Sequence, residues 1–107
     1  MIIMLPLVLL NAEGEEERRV EYDYDAEGNQ IQVRVIEKDK VKQRRDQKFD
    51  DRGNRISVHY YRHFLGNLDL KYYLLFTYDE NNRLTRKDYW NKDYNQRRRW
   101  DYEYEVY

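Results

Sequence analysis

Two histidines, His59 and His63, are spaced by four residues, which on a helix would place both imidazoles on one face. The surrounding residues alternate like a strand, and on a strand the two stand about 13 Å apart, too far for one metal ion. Asp23-Tyr24-Asp25-Ala26-Glu27-Gly28 begins like a calcium loop, with acids at alternate positions before a glycine. The twelfth position of such a loop needs a bidentate glutamate, and it is occupied here by Arg34. Ser57 is the only serine and shares a strand face with His59, but no motif fixes an acid partner for a nucleophilic triad. The 21 acids against 20 bases describe a solvated surface from which no glycosidase pair stands out. No catalytic residue, metal site or cofactor is therefore expected.

Polyanion binding has more material. Lys38 to Lys48 is basic, and Arg97-Arg98-Arg99-Trp100 joins cations to an aromatic ring, as in grooves that bind single strands. The net charge of −1 and the acidic Glu13 to Glu27 stretch argue against nucleic acid. Ion pairing between the acidic first strand and the basic later ones is the simpler use of these charges.

The elements that must position these residues come from an internal repeat. Tyr24-Asp25-Ala26-Glu27-Gly28-Asn29-Gln30-Ile31, Phe49-Asp50-Asp51-Arg52-Gly53-Asn54-Arg55-Ile56 and Tyr78-Asp79-Glu80-Asn81-Asn82-Arg83-Leu84 share one order. Each has an aromatic, an Asp, two variable residues, Gly or Asn, and then a branched aliphatic residue. That order is turn chemistry. The Asp caps backbone N–H groups two residues on, and Gly or Asn accepts positive φ. Asp25, Gly28, Asp50, Gly53, Asp79 and Asn82 are thus structural turn residues, with positive φ expected at Gly28, Gly53 and Asn82.

The flanks alternate with period two. Val20, Tyr22 and Tyr24 share a face, as do Ile31, Val33 and Val35, then Ile56, Val58 and Tyr60. Leu68, Leu70, Tyr72, Leu74, Phe76 and Tyr78 are expected on one face, and Trp100, Tyr102, Tyr104 and Val106 on the face of a last strand. The stretch between Val41 and Phe49 is polar and reads as a weak strand, or by propensity as a helix. Secondary turns are expected at Asp39-Lys40, Gly66-Asn67 and Asn91 to Asn95. The sum is all-β: an antiparallel meander of about seven strands built from hairpin repeats, in an open or partly closed sheet.

These motifs resemble the YD repeats of the RHS family, bacterial surface and secreted proteins with the pattern Tyr-Asp-x-x-Gly-Arg-Leu. Tyr78 to Leu84 fits with Asn in the glycine place, and the other two copies look like the variant with one more residue after Gly. The resemblance implies strands wrapped by repetition and brings no catalytic residues.

Met1 to Leu10 is apolar apart from Pro6, too short to span a bilayer but long enough for a leader cleaved after Ala12. Residues 13–107 then form one domain, secreted, periplasmic or on the cell surface. That part is poor in aliphatic residues but holds all 12 tyrosines and both tryptophans, so its core must rest on aromatics. The expected function is a non-enzymatic binding or structural module that engages a protein, or a second copy of itself, through a sheet edge or face. Trp90, Trp100, Tyr102 and Tyr104 are the candidate binding residues. Exposed rings of this kind make carbohydrate the alternative ligand, and an exported inhibitor or immunity partner is a further one.

Overall fold

The computed structural model describes residues 7–105; Met1 to Pro6 of the expected leader and Val106 of the expected last strand lie outside the described residues. Eight strands follow in order: β1 Leu7–Leu10, β2 Glu16–Tyr24, β3 Gln30–Glu37, β4 Lys40–Phe49, β5 Arg55–Phe64, β6 Asn67–Tyr78, β7 Leu84–Asn91 and β8 Gln96–Asp101. They form one antiparallel sheet in sequence order, with β1 and β8 at opposite edges. The sheet is open. Among the described residues there is no helix, and so none long and apolar enough to cross a membrane.

The sheet is a single layer of 61 × 35 × 21 Å. Its Cα radius of gyration is 17.3 Å, against about 13 Å for a compact chain of this length. Among the described residues the only buried apolar side chains are Ile36 and Val58, and no side chain is fully enclosed. Cohesion therefore comes from cross-strand pairs. On one face the Tyr60 and Tyr72 rings stack at 5.0 Å, with Tyr89 6.1 Å beyond Tyr72. On the other, Tyr73 lies 5.5 Å from His59 and 5.4 Å from Trp90. Such ring pairs contribute about 0.5–1.5 kcal/mol beyond the area they bury.

The three repeated turns share one geometry. Asp25, Asp50 and Asp79 each accept backbone N–H bonds on Oδ1 from two and four residues on, at 2.8 to 3.1 Å. Gly28, Gly53 and Asn82 have φ of 87°, 83° and 62°. The pairing closes each time between residues six apart: Tyr24 with Gln30, Phe49 with Arg55, Tyr78 with Leu84. A fourth turn of the same construction joins β1 to β2. Asn11 Oδ1 accepts from Glu13 and Glu15 N–H at 3.0 and 2.9 Å, Gly14 has φ 81°, and Leu10 pairs with Glu16. Leu10-Asn11-Ala12-Glu13-Gly14 carries the repeat's order with Leu in the aromatic place. The expected cleavage point after Ala12 thus falls inside a hairpin turn of the intact chain. The eighth strand beyond the seven expected is β1, drawn from residues assigned to the leader.

Four local expectations are corrected. The two-residue turns fall one place earlier than expected, at Lys38-Asp39 and Leu65-Gly66, where both central residues have positive φ as a primed hairpin turn requires. The polar stretch is the ten-residue strand β4, because its side chains pair across to β3 and β5 on both faces. Leu68 and Leu70 do not share a face with Tyr72, Leu74 and Phe76. The register passes from Tyr60 opposite Tyr72 to Tyr61 opposite Leu70, leaving Lys71 as a bulge that turns the leucines to the other side. Finally, β8 stops at Asp101, since β7 begins at Leu84 and offers no longer ladder; Tyr102 N–H to Thr85 O at 2.9 Å is the last rung. The last strand does not close the sheet.

Candidate functional site: two unlike faces of one sheet

Residues directly opposite in an antiparallel ladder point to the same side, so the register sorts the side chains into two faces. The first, the ion-pair face, carries Arg34, Glu21 and Asp23 on β2 and β3, Arg44 and Asp46 on β4, and Asp88 and Arg99 on β7 and β8. Four of its arginines meet carboxylates. Arg34 Nη1 lies 2.6 Å from Asp23, Arg44 3.0 Å from Asp46, Arg99 2.7 Å from Asp88 and Arg86 2.8 Å from Asp101. The hydrogen bond from Arg34 holds the Asp23 carboxyl below the ordinary carboxylate range, against a smaller opposing effect of desolvation, with the Arg34 charge adding to the lowering.

The opposite, aliphatic face carries Val20 and Tyr22, Val33 and Val35, Val58 and Tyr60, Tyr72, Leu74 and Phe76, then Tyr89 and Trp100. Most of these are half-exposed, and nothing within the described chain lies over them. The cations on this face sit differently. Arg55 lies over the Phe76 ring at 5.0 Å and Lys87 over Trp100 at 4.5 Å, while Arg45 reaches the Gln30 side chain at 3.3 Å.

The four candidate binding residues do not form one cluster. Trp90 is half-buried on the ion-pair face, stacked on Tyr73, with Arg97 6.0 Å from its ring centre. Trp100 is exposed on the aliphatic face beneath Lys87. Tyr102 and Tyr104 follow β8, and Tyr104 donates to Leu84 O at 2.7 Å with Arg83 over its ring. Sequence reasoning picked out Lys38 to Lys48 and Arg97 to Arg99 as basic stretches but did not see that Arg45 and Arg98, with Arg62, share the aliphatic face. The signal was their parity with Val33, Val58 and Tyr89, which only the paired register makes visible.

The residues weighed for chemistry are used structurally or lie apart. Ser57 is buried, with no hydrogen-bond partner for its hydroxyl among the described residues, and His59 stacks on Tyr73. The Asp25 carboxylate of the calcium-like stretch caps its own turn. Among the described residues no group of three or more His, Cys, Asp and Glu side chains is placed to hold a metal ion.

A scan of protein-family models finds no match, and a search of curated proteins finds none. Among solved structures, the chain is similar to a DUF3836 family protein from Parabacteroides distasonis ATCC 8503. Identity is 13% and the TM-score 0.41, with 91% of this chain and 88% of that one covered.

Proposed function

We propose that this chain is a non-enzymatic, exported bacterial binding module that engages a protein partner through the aliphatic face of its sheet. One observation carries the reading: a single-layer sheet leaves Val20, Val33, Val35, Tyr60, Tyr72 and Leu74 half-exposed on one side. A sheet with an apolar face normally buries it against a second layer. Here the partner supplies that layer. The face suits the purpose in size, since a stable interface uses roughly 800 Å² per partner and the sheet measures 61 × 35 Å. In this reading the repeated Asx turns make the chain a short relative of the YD-repeat proteins, with the hairpins as scaffold and the face as function. An exported inhibitor or immunity protein would use the same surface.

Carbohydrate fits less well because many of the ring faces are occupied. Tyr60 stacks on Tyr72, Tyr73 on Trp90, and cations cover one side of Phe76, Trp100, Tyr61 and Tyr104. Site-specific photo-cross-linking in the native host tests the reading. A photoreactive residue in place of Gln43, on the aliphatic face, is expected to capture a discrete protein. The same residue in place of Lys48, exposed on the other face, is expected to capture none. Adducts from Lys48 alone, or from neither position, would contradict it.

A further inference from the structure

The two faces differ in how their charges are balanced. On the ion-pair face Arg34, Arg44, Arg86 and Arg99 each meet a carboxylate at 2.6 to 3.0 Å, while Arg97 and Lys48 meet none among the described residues. On the aliphatic face the strand carboxylates from β3 to β8 are Glu37 and Asp69, both beside the turns at one end. Each is already engaged, Glu37 with Arg18 at 3.9 Å, Asp69 with Lys92 at 2.6 Å and Lys71 at 3.4 Å. Across the middle of that face stand Arg45, Lys87 and Arg98, opposite Tyr60, Trp100 and Tyr89, and nearer that end stands Arg62, between Gln43 and Asp69. Among the described residues Arg45, Arg62 and Arg98 have no carboxylate within salt-bridge distance. The face is therefore apolar, with cations in excess of carboxylates across it.

From this distribution we infer, resting on the protein-binding reading above, that the aliphatic face takes an acidic, aliphatic-rich protein surface whose carboxylates pair with Arg45, Arg62, Lys87 and Arg98. Complementary charge steers encounter and rejects wrong partners. A second copy laid face to face brings the same cations into one layer without carboxylates to meet them, and like charges across an interface are disfavoured. Nucleic acid would need ring faces free for stacking. Between these cations lie Val33, Val58 and Leu74, and the neighbouring Tyr60 and Tyr72 rings cover each other. Apolar contact at the centre and carboxylates around it match both features of the face.

The test is an NMR titration of the full chain with two synthetic strand-forming peptides, one alternating Glu with Val and Leu, the other with Lys replacing Glu. The acidic peptide is expected to shift residues of the aliphatic face from β3 to β8, to bind more weakly as salt rises, and to bind at least about tenfold more tightly than the basic one. The double variant Arg45→Glu/Arg98→Glu is expected to lose that preference, whereas Lys48→Glu on the other face retains it. Both arginines are exposed, and Arg45→Gln/Arg98→Gln repeats the test should the charge-reversed protein fail to fold. Equal binding of both peptides, or shifts confined to the other face or to β8, overturns the acidic preference while leaving cross-linking from Gln43 to decide the broader reading. Binding of neither peptide overturns it as well. So does a concentration-dependent dimer in light scattering, or shifts with phosphatidylglycerol vesicles alone, which would assign the face to a second copy or to anionic lipid.

Discussion

The Arg34 guanidinium donates to the Asp23 carboxylate at 2.6 Å across the β2–β3 hairpin, and these are the first and twelfth positions of the stretch that begins like a calcium loop. A ligand position is thereby turned into the partner of the first acid. Because Asp23 has a lowered folded pKa, its stabilising contribution is present above the unfolded value near 3.9 and is lost as pH falls through the folded value. Asp23→Asn is expected to reduce stability at neutral pH by about 0.5–1 kcal/mol, as befits a pair that is only partly screened from solvent. The difference from the parent should shrink in denaturant melts as the pH is lowered from neutrality through the unfolded and then the folded value of Asp23. A difference that stays constant across the whole acid range would mean the pair contributes nothing through its charge.

The turns make a sharper prediction. Gly53 has φ 83° with no atom close to where a Cβ would sit, so Gly53→Ala isolates the backbone cost. It is expected to destabilise by about 1 kcal/mol. Gly14 has the same φ region and the same open surroundings, so Gly14→Ala in the intact chain should behave alike if the β1–β2 hairpin is a genuine fourth copy. Asn82→Gly, by contrast, should cost less than Gly53→Ala in thermal melts, because glycine accepts the 62° φ without strain and only the exposed bonds that Asn82 Oδ1 accepts from Asn54 and Arg52 are lost.

Much of this fold was legible because its turns are written in residue types. Asp at the first place and Gly or Asn at the fourth specify the hairpin wherever they fall, and period-two alternation supplies the strands. What escaped was anything decided by register. Lys71 looks like any strand residue, yet as a bulge it rotates Leu68 and Leu70 away from Tyr72. The polar β4 has no apolar rhythm of its own, and its alternation becomes meaningful only beside Val33 and Arg34 on β3. The fourth turn was hidden because Asn11-Ala12 also reads as the end of a leader. The candidate site was legible only in part. Aromatic residues can be picked out of a sequence, but whether their ring faces are free depends on which strand lies next to them.

Aromatic pairing across β5 and β6 is the second source of cohesion, and it is measurable. Tyr60 and Tyr72 are directly opposite and stacked at 5.0 Å. A double-mutant cycle of Tyr60→Ala and Tyr72→Ala should return a coupling of about 0.5–1.5 kcal/mol by urea unfolding. Coupling near zero would show that these rings act only through the area each buries.

Export is a separate proposal with its own test. Cleavage after Ala12 would remove β1 and leave β2 as the edge of the sheet. Mature protein from the native host is then expected to begin at or near Glu13, and its outward-facing β2 amides should exchange faster than in the full chain. Intact residues 1–12 on the native product, read by mass spectrometry, would exclude this processing and keep β1 as a permanent edge.

The account rests most directly on the free chain being one open layer whose aliphatic face is uncovered. Small-angle X-ray scattering on the full-length protein at low concentration reads that property without any partner. A single-chain particle with an elongated distance distribution and a radius of gyration close to the 17.3 Å of the sheet is the predicted result. A value near about 13 Å, or a scattering mass of two chains, would show the face already covered by closure or by a second copy, and would contradict the central claim.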